Sequence, residues 1–357
     1  MNELTRRDFV RGGLSAGIGI GIAPELLRSA VARQAPATAA GEDPYAMVDP
    51  ELLDVIKKFP FPTQSFSSET LAAGRKWPPV PPLPPPAPQP FERRIPGPLG
   101  APDLRLVMVD AAPGTKGRPA FLHFHGGGYV SGFAGQFNPF LQAVAQNCGC
   151  LVVSVDYRLA PETHFLGSLE DNYTALRWLY KNSDELGVDR KRIAIGGESA
   201  GGGHSALLAI AARDRREIPI LFQLLIYPAL DDRTGSARQV PPYIGRFVWN
   251  VESNRFAWTS FLGVPAGSPT VPAGAVPARV ENLAGLPPAF IGVGALDLFV
   301  DEDVEYARRL INAGVPTELH VIPGAYHGFD VLVPDAAVSK RFTESWTVAL
   351  RRAFATG

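Results

Sequence analysis

Arg192-Ile-Ala-Ile-Gly-Gly-Glu-Ser-Ala-Gly-Gly-Gly-His204 reads as an apolar strand, a glycine-rich turn centred on Ser199 and the start of a helix. Its centre, Gly197-Glu-Ser-Ala-Gly201, has the pattern G-x-S-x-G. On a sharp strand-to-helix turn, the residues two before and two after the serine must be small, because the two backbones pass closely. The pattern also occurs in ordinary loops, so the apolar runs 193–195 and 206–212 on either side decide the interpretation. We therefore expect a strained turn that holds Ser199 between a strand and a helix.

The remainder of the chain alternates β-rich runs with helical stretches. The β-rich runs are 104–110, 120–125, 150–157, 193–198, 222–227, 289–297 and 318–322. The helical stretches are 138–147, 169–186, 199–213, 301–313 and 336–355. Such alternation indicates a mainly parallel β-sheet with helices on both of its faces.

Length and composition set broad limits on fold and partners. The 357 residues suffice for one large α/β domain or two ordinary ones, and 46% hydrophobic residues can form a sizeable core. The formal net charge of −1 gives no reason to expect a nucleic-acid partner. Cys148 and Cys150 are one residue apart, so a disulfide between them would be strained, and two sulfurs make no structural metal site. We expect both to pack in the interior.

The N-terminus differs from the globular pattern. Residues 5–11, Thr-Arg-Arg-Asp-Phe-Val-Arg, precede a glycine-rich, weakly apolar run over 12–27 and then the small residues 30–32. This order resembles a twin-arginine export signal with a small-residue cleavage site, and the alternative is an ordinary amphipathic helix. No other stretch reaches the roughly 18 consecutive apolar residues of a membrane span. We expect a signal peptide over 1–34 and a soluble protein that is exported to the periplasm or secreted.

Two further segments stand apart from the strand and helix pattern. Residues 41–90 carry short apolar clusters and end in a proline-rich run, 77–90, which must be extended because proline blocks helix and sheet. We interpret residues 77–90 as a stiff connector to the main domain, 91–357, and the clusters before them as one or two short helices. An insertion over about 231–285 interrupts that domain, and its aromatic residues, Trp249 among them, favour a lid over structural padding.

A serine hydroxyl becomes a nucleophile at neutral pH only with a base, and the base needs a carboxylate to orient it. Asp297 follows the apolar strand 289–295, and His327 lies in a turn after the strand 318–322. Residues at the carboxyl ends of strands meet in one crevice of an open α/β sheet. The order Ser199, Asp297, His327 is also the one expected of an α/β-hydrolase.

Other carboxylates and histidines are alternatives to this pair. Asp301 and Asp303 look like the first residues of the next helix, where carboxylates interact favourably with the helix dipole. Four more histidines lie in predicted strands, a helix or a loop: His123, His164, His204 and His320. We expect Asp297 and His327 to be the partners of Ser199.

A glycine run, His125-Gly-Gly-Gly128, follows the strand 120–124. During acyl transfer, negative charge develops on a carbonyl oxygen and needs fixed donors, which glycine backbones present with no side chain in the way. We expect Gly126, Gly127 and Ala200 to donate N–H groups to that oxygen. The alternative is a phosphate-binding loop or a plain turn, but no Walker lysine follows.

Together these features resemble the bacterial hormone-sensitive-lipase-like esterases, the family IV carboxylesterases of the α/β-hydrolase fold. The resemblance runs from about residue 119 to the C-terminus, and its motifs are 125–130, 156–162, 197–202, 226–228, 297 and 327–329. It implies a mainly parallel eight-stranded sheet with helices on both faces and a helical cap. In this chain the implied N-terminal cap segment and its proline-rich connector are residues 41–90. It also implies Ser199 as nucleophile, His327 as base and Asp297 as its partner. The residues that support the motifs are His125, Gly128 and Glu198.

Two positions depart from the family pattern. Glu198 stands directly before the serine, where aspartate is more common, so the negative charge is kept on a longer side chain. Residues 163–168, Thr-His-Phe-Leu-Gly-Ser, are also atypical. Neither departure touches the predicted triad.

The implied activity is hydrolysis of short- to medium-chain carboxylic esters through an acyl-enzyme, with no metal or organic cofactor. The expected partner is a small-molecule ester, the candidate assembly is a homodimer, and neither nucleic acid nor stable membrane insertion is expected. An amidase, a lactonase, an acyltransferase or an interfacial lipase could use the same triad. A non-catalytic binding protein on this fold is a further alternative, which the presence of His327 disfavours.

Overall fold

The computed structural model of the protein describes residues 43–59, 63–76, 78 and 80–356. The predicted signal peptide, 1–34, lies outside the described residues. No helix within the described ranges is long and apolar enough to cross a membrane.

One sheet of eight strands forms the centre of the described chain. The strands are β1 (Pro90–Ile95), β2 (Leu104–Asp110), β3 (Arg118–Phe124), β4 (Leu151–Val155), β5 (Val188–Glu198), β6 (Phe222–Ile226), β7 (Ala289–Gly294) and β8 (Thr317–Ile322). Across the sheet they lie in the order β1-β2-β4-β3-β5-β6-β7-β8. β2 is antiparallel to both of its neighbours, and the remaining pairs are parallel. The predicted mainly parallel eight-stranded sheet is confirmed.

β1 is the strand that no β-rich run of the sequence indicates. Its centre, Phe91-Glu-Arg-Arg94, has no apolar run, and Phe91 is largely exposed. An edge strand buries few side chains, so its position in the sheet is determined by its pairing with β2. In this pairing Ile95 lies opposite Leu104.

Helices cover both faces of the sheet. They are α1 (Leu53–Ile56), α2 (Leu71–Gly74), α3 (Asn138–Cys148), α4 (Phe165–Lys181), α5 (Ser183–Leu186), α6 (Ala200–Arg215), α7 (Val251–Leu262), α8 (Val300–Asn312), α9 (Phe329–Leu332) and α10 (Ala337–Thr356). The helix predicted over 169–186 is instead α4 and α5. The side chain of Asn182 donates to the Trp178 carbonyl at 2.8 Å, and such side-chain bonds compete with the helical pattern.

The hydrophobic core has two layers, one on each face of the sheet. One layer packs side chains of α4, α6 and α8 against the strands, including Tyr173, Leu208 and Tyr306. The other packs α3 and α10, including Leu141 and Trp346. Every residue of β4, β6 and β7 is buried, which explains their continuous apolar sequences. Cys150 is fully buried and Cys148 partly buried, both as free thiols.

A third apolar cluster lies beside the glycine run. It joins Leu71 of the cap segment, Tyr129 just after the glycine run, and Trp258 and Phe261 of α7. The Tyr129 ring centroid is 4.1 Å from that of Phe261 and 5.0 Å from that of Trp258. The segment before the main domain and the insertion within it therefore pack against the same glycine run.

Candidate active site

Ser199 lies on the turn between β5 and α6, at φ 57° and ψ −121°. A positive φ of this size favours glycine, so the serine backbone is strained. Small neighbours make the turn possible. A Cβ on Gly197 would lie 2.1 Å from the carbonyl oxygen of Phe124, and a Cβ on Gly201 would lie 1.9 Å from the same atom, so neither position has room for a side chain. The Ser199 N–H donates to the Ile226 carbonyl at 2.9 Å, which ties the turn to β6.

The structure brings Ser199, Asp297 and His327 together. His327 Nδ1 lies 2.8 Å from Asp297 Oδ2, and His327 Nε2 lies 3.0 Å from Ser199 Oγ. Because a carboxylate only accepts, Nδ1 donates to Asp297 and Nε2 is left to accept the serine hydroxyl. Asp297 is fully buried, and its Oδ1 accepts the N–H of Phe299 at 3.0 Å. The imidazole is held in the tautomer that can take a proton from serine.

The topology of the sheet explains why these residues meet. Ser199 follows β5, Asp297 follows β7 and His327 follows β8. These strands are parallel and lie on one side of the sheet, so their carboxyl ends share one edge.

The glycine run lies directly beside the serine. A Cβ on Gly126 would lie 3.4 Å from Ser199 Cβ. Gly127 has φ 121°, and a Cβ there would lie 2.2 Å from the carbonyl oxygen of Ser131. Only glycine fits at Gly127, since both the backbone angle and the space exclude a side chain.

Three N–H groups were expected to face a carbonyl oxygen at this place. No acceptor lies in hydrogen-bonding geometry with the N–H of Gly127 or of Ala200 anywhere in the described chain. The N–H of Gly126 points at Glu198 Oε1 instead, over 3.4 Å. Two of the expected donors thus have no acceptor among the described residues, and the third makes one long bond.

His125 and Tyr157 anchor the start of the glycine run. Their rings stack at 4.2 Å with planes 9° apart, and the Tyr157 hydroxyl donates to the His125 carbonyl at 2.6 Å. His125 Nδ1 lies 2.8 Å from the Gly126 carbonyl, to which it donates. Burial, as the largest cause, lowers the pKa of His125 to about 4, so the imidazole is neutral near pH 7. His125 therefore positions backbone and carries no charge.

A buried His123 and Glu198 pair lies beneath the serine and was not foreseen as a pair. His123 Nε2 donates to Glu198 Oε2 at 2.9 Å, and His123 Nδ1 lies 2.9 Å from Ser154 Oγ. Burial, the largest single cause, raises the pKa of Glu198, but the His123 imidazole, a backbone hydrogen bond and His125 together lower it by more, so the pKa lies below the usual glutamate value. The pairing depends on β3 lying next to β5, and chain order alone does not show that neighbourhood.

The other acidic candidates lie in the first turn of α8, as expected. Asp303 is nevertheless fully buried, and neither of its carboxyl oxygens has a hydrogen-bond partner in the described residues. Burial raises the pKa of Asp303 well above its usual range, and Glu302 adds to this. Burial thus favours the protonated form of Asp303, and the hydrogen bond to His327 comes from Asp297.

Aromatic side chains surround the histidine. Ring centroids lie 4.9 Å from that of His327 for Tyr227, 5.3 Å for Phe299 and 6.5 Å for Trp249. These three rings pack around the His327 imidazole and help to fix its position.

These features define an α/β-hydrolase. They are a serine on a strained turn, an imidazole oriented by a carboxylate, and backbone N–H donors, all at the carboxyl edge of a mainly parallel sheet. The model of a family described as alpha/beta hydrolase fold matches residues 121–331, more than half of the chain. The chain belongs to this family, and within it to the hormone-sensitive-lipase-like esterases that its motifs predict.

Named relatives cover most of the chain. The esterase LipI of Mycobacterium tuberculosis is 34% identical over 314 residues, 87% of this chain and 96% of LipI. The ethyl acetate hydrolase of Pseudomonas putida is 35% identical over 218 residues, 59% of this chain and 65% of that protein. Among solved structures, a bacterial heroin esterase is 35% identical with a TM-score of 0.77, over 87% of this chain and 99% of the other.

Proposed function

We propose that this protein is a serine carboxylesterase that hydrolyses short- to medium-chain carboxylic esters. The observation that carries the proposal is the hydrogen-bonded series Asp297, His327, Ser199, with bonds of 2.8 and 3.0 Å on a strained turn. The relatives support it, since they are named esterases and one is named for a small ester, ethyl acetate.

Acylation comes first. His327 Nε2 takes the hydroxyl proton while Ser199 Oγ attacks the acyl carbon, and Asp297 stabilises the imidazolium that forms. The carbonyl oxygen becomes negative and accepts the N–H groups of Gly127 and Ala200. We assign Gly126 as the third donor, whose N–H must turn from its long 3.4 Å contact with Glu198 Oε1 to the carbonyl oxygen. The bond to the leaving oxygen then breaks, His327 gives that oxygen its proton, and the acyl group stays on Ser199.

Deacylation repeats these steps with water. His327 removes a proton from water, the resulting hydroxide attacks the acyl carbon, and the carboxylic acid leaves as Ser199 regains its proton. The roles of the supporting residues follow from their contacts. His125 positions the glycine run through its bond to the Gly126 carbonyl, Gly128 leaves room for the Trp249 ring, and Glu198 makes a long contact with the Gly126 N–H.

The test is hydrolysis of p-nitrophenyl esters from acetyl to palmitoyl by the purified protein and by Ser199→Ala. We expect the wild type to prefer short chains and the variant to lose at least about 1,000-fold in kcat, since the nucleophile is gone. Equal rates for the two proteins would overturn the mechanism. A sharp rise in rate above the solubility limit of a substrate would instead indicate an interfacial lipase. Turnover of amides or lactones but of no ester would indicate an amidase or a lactonase.

We also propose the domain organisation and location that the sequence predicts. These are a signal peptide over 1–34, a cap segment and connector over 41–90, and a catalytic domain over 91–357 with a lid over about 231–285. Replacing Arg6 and Arg7 with lysine should keep the protein in the cytoplasm, which cell fractionation measures. The proposed homodimer is tested by light scattering after size-exclusion chromatography.

A further inference from the structure

One side chain of the insertion, Trp249, reaches across the glycine run to the histidine. A Cβ on Gly128 would lie 2.1 Å from Trp249 Cη2, so this edge of the indole rests on the Gly128 backbone. The indole centroid is 6.5 Å from the His327 centroid. An ester carbonyl that reacts with Ser199 must lie between the backbone donors and the histidine. Trp249 therefore bounds the space around the reacting group.

The indole is held in one orientation. Its Nε1 donates to Asn254 Oδ1 at 3.2 Å, and the Asn254 amide in turn donates to the Thr234 carbonyl at 2.9 Å. The Phe66 ring of the cap segment packs against it, with centroids 5.8 Å apart. Trp249 is only 6% exposed. A larger ester would have to break the hydrogen bond and the ring contact to move this side chain.

The backbone that follows Trp249 is also fixed. The side chain of Asn250 caps α7 by accepting the Ser253 N–H at 2.9 Å, and its amide donates to the Thr63 carbonyl at 3.0 Å. The Phe66 N–H donates to Ser253 Oγ at 3.0 Å. The cap segment and the insertion thus hold Trp249 between them, and the indole acts as a rigid wall.

Resting on the ester hydrolysis proposed above, we infer that Trp249 limits the size of the ester that the site accepts. A smaller residue at this position opens space beside the reacting carbonyl for additional methylene groups. The discrimination that one methylene group provides in a hydrophobic pocket is about 10- to 200-fold.

The test compares kcat/KM of the wild type, Trp249→Phe and Trp249→Ala on two ester series. One series lengthens the acyl group of p-nitrophenyl esters from acetyl to dodecanoyl, and the other enlarges the alcohol of acetate esters from methyl to octyl. We expect the ratio of large to small ester to rise at least about 10-fold for Trp249→Ala in one series or both, with Trp249→Phe intermediate. The series that responds identifies the side of the ester that the indole contacts.

Trp178→Ala is the matched control, because this half-buried tryptophan stacks on Arg93, 5.2 Å away, and contacts none of the proposed triad. Its ester profile should match the wild type. If both Trp249 variants keep the wild-type ratios while acetyl ester is still hydrolysed, the inference is wrong and the proposed esterase stands. A wild type inert toward every ester overturns the proposed function itself. Trp249→Phe keeps an aromatic ring at the site and is therefore the milder change. If thermal unfolding shows that Trp249→Ala is not folded, the ester ratios of Trp249→Phe alone test the inference.

Discussion

Arg75 follows α2 and ties the cap segment to the main domain through four hydrogen bonds. Its Nε donates to the Val130 carbonyl and its Nη2 to the Ala160 carbonyl, each at 2.7 Å. Nη1 and Nη2 also form a bidentate pair with Glu162, with both bonds at 2.7 Å. Val130 and Ala160 are buried, whereas the Glu162 side chain is 63% exposed. We predict that the bonds to the two carbonyls, and not the ion pair, provide most of the stability.

The magnitudes follow from these exposures. An exposed ion pair contributes about 0–1 kcal/mol, while a hydrogen bond from a charged donor contributes about 1.5–3 kcal/mol. The hydrogen bond from Arg75 lowers the pKa of Glu162 to about 2, but solvent screening at this exposed carboxylate leaves little of that as stability. Arg75→Ala should therefore lower the free energy of unfolding by about 3 kcal/mol, because two carbonyls lose their donor. Glu162→Gln should lower it by less than about 1 kcal/mol.

Urea unfolding of the wild type and the two variants measures both values. Val130 lies two residues after the glycine run, so Arg75→Ala should also reduce kcat for p-nitrophenyl acetate, while Glu162→Gln should leave it within about twofold of wild type. If Glu162→Gln destabilises the protein as much as Arg75→Ala, the ion pair dominates and the reasoning fails. If neither variant changes stability, the contact does not anchor the cap segment.

Two further predictions concern carboxyl groups near His327. Asp297→Asn should lower kcat by about 10,000-fold with little change in KM, because an amide no longer selects the tautomer in which Nε2 accepts from serine. A loss of less than about tenfold in kcat, measured by steady-state kinetics, would contradict this prediction. Burial raises the pKa of Asp330 to about 6, although the hydroxyl of Tyr227, which donates to it at 2.9 Å, opposes the shift. The folded protein then keeps a proton that the unfolded chain releases near about pH 4, so stability falls as pH rises from about 4 to 6. Asp330→Asn should thus be more stable than wild type by up to about 3 kcal/mol at pH 8 and show no gain at pH 3. Urea unfolding measures the stability difference between variant and wild type at both pH values. Equal differences at the two pH values would refute this prediction.

Much of the architecture could be predicted because it depends on local sequence patterns. Continuous apolar runs such as β6 and β7 indicate buried parallel strands wherever they pair. The glycines around Ser199 indicate a tight turn, since backbone geometry there depends on the nearest residues. Asp297 and His327 could be chosen because each directly follows a predicted strand, and the ends of parallel strands share an edge.

Other features depended on which elements become neighbours, and no local pattern contains that information. β1 forms only because β2 offers it an edge, and His123 meets Glu198 only because β3 lies beside β5. The sequence predicts Asp303 among the first residues of a helix, yet packing buries its side chain and so raises the pKa of the carboxyl group.

The sequence by itself therefore determined the fold class, the serine turn and the members of the predicted triad, because each of these follows from short-range backbone and burial patterns. Only the tertiary structure decided the contacts that shape the site. Trp249 lies against Gly128 and His327 because two distant segments fold over the same edge of the sheet. Contacts between distant segments arise from the packing of the whole chain, which no short stretch of sequence encodes.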